Sequence, residues 1–299
     1  MATATSPAKR GGDTSISASA SASSSVSVSV SFLAPPGARL SGYDRGSRPR
    51  EQPAGIPPVF LGAMHVRERV FVREFGVPLE NEFDADDGRC CHWVGYFSSS
   101  PSSSSSPSSS SSSFSSACPG GRGEMARKPV GALRLVPFPH EPHPVDGGVY
   151  FNGLLRNAEE LGMSATSTTK TTTAATTTTT TKSPEATGDA VAAAADTDGP
   201  TTLHDGVEPY CKLGRLAVLP EHRGDGIAGA ILKDAFRWMG EKDNKTFLGE
   251  GWKGLVCVHA REEMAGLWAR WGFVTDEKMG RWMEEGMWHV GMFRRVEIS

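Results

Sequence analysis

The chain lacks a long apolar run. Of its 299 residues 38% are hydrophobic, yet none of its uninterrupted apolar stretches approaches the ~20 residues a helix needs to cross a bilayer. The N-terminus holds no apolar segment of the kind that builds a secretory signal. Net charge is also small: 31 Lys and Arg against 34 Asp and Glu leave −3, so no basic excess points to nucleic acid. Cysteine is scarce. Cys90, Cys91, Cys118, Cys211 and Cys257 are odd in number and share no C-x-x-C spacing. That speaks against a metal site and a disulfide framework, and for a reducing compartment. A cytoplasmic location is expected. The Ser-rich, acid-poor N-terminus with Lys9 and Arg10 offers import into an organelle as the alternative.

Much of the length is compositionally biased. Residues 1–24 are rich in Ser, Ala and Thr, 98–128 contain a nearly pure serine tract, and 156–208 contain a Thr/Ala tract. Such segments carry too little apolar surface to offset chain entropy. They are expected to be a disordered tail and two disordered insertions in one domain spanning 25–299.

Between them the patterns are regular. Ser25–Leu33 alternates small polar and apolar residues as an edge strand does. Met64–Phe75 places Val66, Val70, Phe71 and Phe75 at helical spacing. Strands are expected at Cys91–Phe97, Val130–Phe138, Tyr210–Leu219, Gly254–Val258 and His289–Val296. Helices are expected at Ile227–Lys242 and Glu262–Trp271. The order β-α-β-β-β-α-β-α-β predicts an α/β fold on a mixed sheet, helices on both faces. The serine tract then joins two strands as a long hairpin loop, and Gly214 marks a bulge or a close backbone approach.

The most telling stretch is Leu213–Met239. A strand ends at Pro220, and Arg223-Gly224-Asp225-Gly226-Ile227-Ala228 opens an amphipathic helix. A glycine-rich loop at a helix N-terminus turns backbone N–H groups toward one point, where the helix dipole adds positive potential. A pyrophosphate suits that place. No Lys-Ser/Thr follows the loop, so a nucleoside triphosphatase is a poor reading.

The run LGRLAVLPEHRGDGIAGAIL resembles the cofactor motif of the GNAT-type N-acetyltransferase superfamily, a strand followed by R/Q-x-x-G-x-G/A and a helix. Val258-His259-Ala260-Arg261 through Leu267-Trp268-Ala269-Arg270-Trp271-Gly272-Phe273 is similar to that family's next strand and helix. The upstream run VRERVFVREFGVPLENEFDADDGRCCHWVGY is similar to one of its branches. The resemblance covers nearly all the foldable sequence, its three motifs in family order. It implies a V-shaped splay between two parallel strands that holds acetyl-coenzyme A as co-substrate, and transfer of acetyl to a small primary amine.

On that resemblance the amides of Gly224, Asp225, Gly226, Ile227, Ala228 and Gly229 cradle the pyrophosphate, with Arg223 beside them. Leu216, Ala217 and Val218 pair with the pantetheine amides, and the Val218 amide faces the thioester oxygen. The acids Glu82 and Asp84 are candidates for contacting the amine or relaying its proton, against a plain solvated acidic loop. His259 either accepts the ammonium proton or caps and packs. Trp268 stands where many relatives carry the Tyr that protonates the leaving thiolate; indole cannot do this, so the thiolate is expected to take its proton from water. Cys211 and Cys257 are expected to be inert core thiols. A non-catalytic coenzyme A-binding sensor or scaffold is the alternative function.

Overall fold

A computed structural model describes residues 26–48, 51–99, 127–163 and 198–299. The tail 1–24, Cys118 and the middles of both low-complexity insertions lie outside the described residues.

The first strand, β1 (Val26–Leu33), is an edge strand antiparallel to β2 (Cys91–Ser99). Helix α1 (Pro58–Arg67) starts six residues before the expected point and runs on as a π-helical turn, Glu68–Glu74. The earlier start has a cause. Pro58 stands at the first helical position, where its missing N–H costs nothing, and Phe60 buries against Leu40, Ile56 and Met64.

Strand β3 (Lys128–Val136) pairs antiparallel with β2, so the serine tract does join a hairpin. Two short strands follow, β4 (Val149–Phe151) and β5 (Leu154–Leu155). Next come β6 (Cys211–Val218), helix α2 (Ile227–Gly240), β7 (Leu255–Arg261) and a short helix α3 (Ala265–Ala269). The chain ends through β8 (Val274–Thr275), β9 (Arg281–Glu284) and β10 (Met287–Arg295).

The described strands form one sheet ordered β1-β2-β3-β6-β7-β10-β9-β4-β5, with β8 also on β10. It is mixed, as expected: β6 and β7 run parallel, and so do β4 and β9, while the other pairs are antiparallel. Strands β4, β5, β8 and β9 were not anticipated. They are two to four residues long, too short to show a period.

The helices occupy opposite faces. Neighbouring strand residues point to opposite sides of a sheet. Val94 and Tyr96 contact α1 at Gly62, whereas Gly95 lies under Ile227 and Ile231 of α2. The approach of α2 is close enough that a Cβ on Gly131 would stand 2.6 Å from Ile227 Cγ2. Only glycine admits that contact, and it sets how near the start of α2 lies to the sheet. A ring cluster of Phe32, Trp93 and Trp238 closes the same layer.

Both insertions have ordered edges. Ser98 and Ser99 continue β2 as partners of Ser27 and Val26. In the second, Asn157 fastens to Val149 and Gly147, and residues 198–208 pack back on the sheet through Asp198, Thr201 and His204. The boundaries at 98–128 and 156–208 were drawn too wide because composition averages over anchoring residues of this kind.

Candidate functional site

Strands β6 and β7 separate almost as soon as they pair. Their ladder holds three residue pairs, Cys211–Val256, Lys212–Cys257 and Leu213–Val258. Beyond Leu213 and Val258 the two parallel strands diverge, the V-shaped splay that the sequence implied. Strand β6 has a reason to turn away. Its register on β3 shifts between Ala132 and Arg134, with Arg215 and Leu216 bulged out opposite Leu133. Arg215 takes φ +52°, a left-handed backbone that a non-glycine residue adopts at a cost. The bulge thus falls one residue after Gly214.

The bulge has a holder. The Arg215 guanidinium reaches Glu82 Oε1 at 3.3 Å and donates to the Asn81 carbonyl at 3.2 Å. It also stacks over Phe71 of the π-helical turn at 5.8 Å. Past the bulge, Leu219 N–H donates to the Val130 carbonyl at 2.9 Å. Alternate residues of an antiparallel strand direct their backbone groups to opposite edges. Ala217 and Leu219 therefore face β3, and Val218 turns its N–H and C=O toward the gap left by β7. The Val218 carbonyl receives Arg223 Nε at 3.1 Å; its N–H faces the gap in the ladder.

The glycine loop opens onto the same side. Gly224 and Gly226 have φ +91° and +78°, and nothing lies within 4 Å of a Cβ built on either. Gly226 is the N-cap of α2 and offers no side chain to the helix start. The N–H groups of Gly224, Asp225, Gly226, Ile227, Ala228 and Gly229 have no hydrogen-bond partner among the described residues. Ala230 is the first with one, to the Gly226 carbonyl at 3.0 Å. Six consecutive main-chain donors stand at the positive end of a 14-residue helix.

Arg223 does not stand free beside them. Its Nη1 and Nη2 bind the two carboxylate oxygens of Glu74 at 2.7 and 2.6 Å. Its position at the loop is as expected, and its charge is answered by α1's continuation. Asp225 is exposed and lies 3.5 Å from His222 Nδ1.

The acidic run is not a solvated loop, and it is not a pair of free bases either. Glu82 is buried and accepts from Arg67 Nε at 2.6 Å; Asp87 accepts from Arg67 Nη1 at 2.7 Å. Both oxygens of Asp84 bind Arg134 Nη1 at 2.8 Å. Burial disfavours charge on Asp84 and Asp87, yet the guanidiniums of Arg134, Arg215 and Arg67 outweigh it at Asp84 and those of Arg67 and Arg134 at Asp87, holding both carboxyls below the usual range. Three acids and three arginines neutralise one another. Glu82 and Asp84 are thus engaged in tying α1, β3 and the β6 bulge together.

His259 is the first residue of β7 past the last β6 pair. It lies on the α1 face of the sheet with Lys212 and Cys257, its ring edge-on to Trp282 at 4.9 Å. His143, from the connection after β3, meets it: His143 Nδ1 is 3.3 Å from His259 Nε2. The Tyr210 ring stacks on His143 at 5.3 Å, its hydroxyl 3.1 Å from Nε2 and 3.4 Å from Nδ1, and that hydroxyl donates a short hydrogen bond to Asp198 Oδ2. The His143 backbone N–H donates to Asp198 Oδ1 at 2.6 Å. His204 packs alongside, with Nε2 donating to the Glu208 carbonyl at 2.8 Å and Nδ1 buried without a partner.

Burial dominates the titration of these groups. It pushes His143 down to about 4 and His259 well below the usual imidazole range, with the Lys212 charge adding to the effect on His259. Both rings are therefore neutral near pH 7. Burial raises Cys257 to about 12 and Cys211 further still, so both thiols are protonated core residues. Donor atoms of His143, Cys257 and His259, and of His143, Asp198 and His204, lie within 4.8 Å of one another.

Trp268 is buried on α3, edge-on to Phe273 at 5.2 Å. It packs into the main core cluster.

The fold thus sets Val218 at the unpaired end of β6, the 224–229 amides at the start of α2 and His259 just past the last β6–β7 pair, and draws Glu82, Asp84, Arg223 and Trp268 into packing and ion-pair contacts. Sequence reasoning missed Arg215, His143, Asp198 and Tyr210. The signal for His143 was its position in a His-Pro-rich connection, and for Asp198 the return of acidic residues after the Thr/Ala tract.

No protein-family model matches the chain, and no curated protein matches it in sequence. Solved structures are similar in outline. Escherichia coli ElaA is 12% identical, covering 90% of this chain and 100% of its own, at a TM-score of 0.41. An acyl-CoA N-acyltransferase from Pseudomonas aeruginosa is also 12% identical, covering 90% of this chain and 99% of its own, at 0.39. The CoA-dependent acyl-homoserine lactone synthase BjaI is 9% identical, covering 91% of this chain and 84% of its own, at 0.43. Likeness at this distance carries no functional argument, which rests instead on the geometry above.

Proposed function

We propose that the chain is an acyltransferase that moves acetyl from acetyl-coenzyme A to a small primary amine by direct attack. One observation carries the reading: six consecutive unpartnered N–H groups at the mouth of α2, beside a strand edge that its parallel neighbour has abandoned.

The residues present fit a pyrophosphate and a thioester arm. Gly224 and Gly226 leave the outer side of the loop open, so phosphate oxygens can approach the amides without meeting a Cβ. The uncovered edge of β6 offers the main-chain groups of Val218, and of Leu216 in the bulge, to an extended amide-bearing arm as a sheet edge does to an added strand, whereas Ala217, expected to join them, bonds to β3 instead. The Val218 N–H supplies a donor for charge growing on a carbonyl oxygen, worth roughly 3 kcal/mol in comparable sites. His259, neutral and at the apex of the splay, takes the proton that an ammonium group must lose before its nitrogen can attack. Trp268 supplies no acid, so the departing thiolate takes a proton lost by the nitrogen or one from water.

The acceptor is small. The acid run is internally neutralised and gives no acidic lure for a polycation. Recognition then falls to the aromatic and imidazole groups around His259.

The test is release of free thiol from acetyl-coenzyme A by the purified full chain over a panel of primary amines, with the acetylated product identified by mass. Saturable turnover is expected. Binding of coenzyme A without turnover above buffer across the panel would sink the proposal.

A further inference from the structure

His204 keeps a lone pair with nothing to meet. The residue is 5% exposed. Its Nε2 lies 2.8 Å from the Glu208 carbonyl, and a carbonyl only accepts, so that nitrogen carries the hydrogen. In the neutral imidazole the lone pair is then at Nδ1, which is sealed from solvent without a partner among the described residues. A buried acceptor left in this way costs free energy, and a missing ion is one of the few things that account for it.

The groups around that ring are metal ligands by type. A donor atom from each of His143, Asp198 and His204 lies within 4.8 Å of the other two. Asp198 accepts the His143 backbone N–H on Oδ1 and the Tyr210 hydroxyl on Oδ2. A carboxylate offers about four lone-pair sites, so both oxygens can still accept. His143 has Nδ1 3.3 Å from His259 Nε2 and Nε2 3.6 Å from Asp198 Oδ2. Two donors held about 2.0–2.2 Å from one tetrahedral zinc stand roughly 3.3–3.6 Å apart. His143 Nε2 and Asp198 Oδ2 already have that separation.

We propose that His143 Nε2, Asp198 and His204 Nδ1 bind one divalent transition ion of the zinc class. The ion would fasten the segment that returns after the Thr/Ala tract to the connection that follows β3. Two imidazoles and one carboxylate suit zinc; calcium and magnesium call for oxygen ligands throughout. Three protein ligands leave one tetrahedral position for water.

The surroundings support the assignment. A ligating imidazole characteristically donates its second N–H to a carbonyl or carboxylate, as His204 does to Glu208. The turn that carries His204 is tied down as well. Its backbone N–H donates to Thr201 Oγ1 at 3.1 Å, and Thr201 Oγ1 donates to Asp276 Oδ2 at 2.5 Å. The N–H groups of Thr202 and Leu203 donate to the two oxygens of Asp276 at 3.0 and 2.7 Å. Phe293 stacks on the ring at 5.8 Å. Cysteine spacing spoke against a metal, but these ligands are two histidines and an aspartate. Asp198 follows His143 by 55 residues, so no short motif announces them.

A second triad, His143, Cys257 and His259, competes for the same His143. The unpartnered nitrogen of His204 favours the first set. His259 then stays outside the ligands, and the proposal stands apart from the acyl-transfer reading.

The test uses the full chain, stripped with a chelator and titrated with zinc chloride or cobalt(II) chloride. One ion per chain is expected by elemental analysis after desalting. At free zinc about a hundred times its dissociation constant, the melting temperature should rise by about 5–10 °C. Cobalt(II) should give the visible spectrum of a four-coordinate ion with no thiolate band. It should also broaden the amide signals of residues 198–204. His204→Gln and Asp198→Asn should each lose more affinity than the roughly 10- to 100-fold that removal of an outer-shell partner costs. Both should melt with the stripped wild type when zinc is absent, and Cys257→Ser should bind zinc as the wild type does. A wild type that takes up no stoichiometric zinc overturns the proposal, as does His204→Gln binding zinc unimpaired. A thiolate-to-cobalt band that vanishes in Cys257→Ser overturns it too, by putting the ion on the second triad. If a ligand variant fails to fold, the wild-type cobalt spectrum and signal broadening still decide, and unbroadened amides count against the site. Zinc binding by a chain that acetylates nothing upholds this site while the acyl-transfer reading falls, so the two failures are told apart.

Discussion

Arg223 and Glu74 are bound at two points, 2.7 and 2.6 Å apart, and the same guanidinium holds the Val218 carbonyl at 3.1 Å. One side chain therefore links the π-helical turn after α1, the end of β6 and the loop that opens α2. A half-exposed pair of this kind is worth up to about 1 kcal/mol, or roughly fivefold in an equilibrium.

Arg223→Ala should accordingly weaken coenzyme A binding about fivefold through a loosened loop, while leaving the melting temperature nearly unchanged. Calorimetric titration beside a thermal melt checks this. The exchanged pair Glu74→Arg with Arg223→Glu should recover part of the affinity. A loss tenfold or larger with no recovery would instead place Arg223 directly on the ligand.

Gly226 separates backbone strain from blockage. At φ +78° any L side chain is strained, so Gly226→Ala should cost about 1 kcal/mol of stability and a modest share of affinity. Gly226→Glu adds bulk and negative charge in front of the loop amides. It should abolish coenzyme A binding at little further cost to the fold. Equal affinities for the two variants would remove the loop from the binding site.

Glu82 distinguishes a structural carboxylate from a catalytic one. Its partners Arg67 and Arg215 come from α1 and the β6 bulge. Glu82→Gln leaves a buried guanidinium short of charge, which typically costs about 3–5 kcal/mol. Urea denaturation should show that loss, with a fall in activity that follows unfolding. Unchanged stability with abolished turnover would return Glu82 to the list of bases.

Stability should decline on acidification in two stages. Burial holds His92, His140 and His143 down to about 4, below their unfolded value. The unfolded chain therefore binds more protons than the folded one between roughly pH 6.5 and 4, so stability falls as pH drops through that window. Asp84 and Asp87, held low against burial by Arg134 and Arg67, add a second loss below about pH 4. Chemical denaturation at a series of pH values reads both. Asp87→Asn should flatten the lower stage and leave the upper one, and a profile flat from pH 7 to 4 would contradict the burial of these imidazoles.

How much of this was legible in the sequence depended on chain separation. The glycine loop, β6 and α2 are contiguous, so spacing alone placed Gly224, Gly226 and Val218. Arg67, Glu82 and Arg215 come from three distant segments, and their acid–base partnership appears only when α1 lies across β3 and β6. That is why Glu82 and Asp84 looked like free carboxylates. His143, Asp198 and Tyr210 come to the neighbourhood of His259 from connections whose sequence carries no period. Asp198 was also masked by the tract before it, since composition weighs a window and one anchoring residue barely moves the average.

The three-pair seam between β6 and β7 also governs how the molecule holds together as a whole. Along that line the sheet is two panels on a short hinge, with the amide donors on one panel and His259 on the other. Any extended guest that hydrogen-bonds across the gap becomes the missing rung, and fastens the panels as it binds. Protection from amide exchange should then rise on β6 and β7 together when coenzyme A is added, and the empty protein should open first along this line.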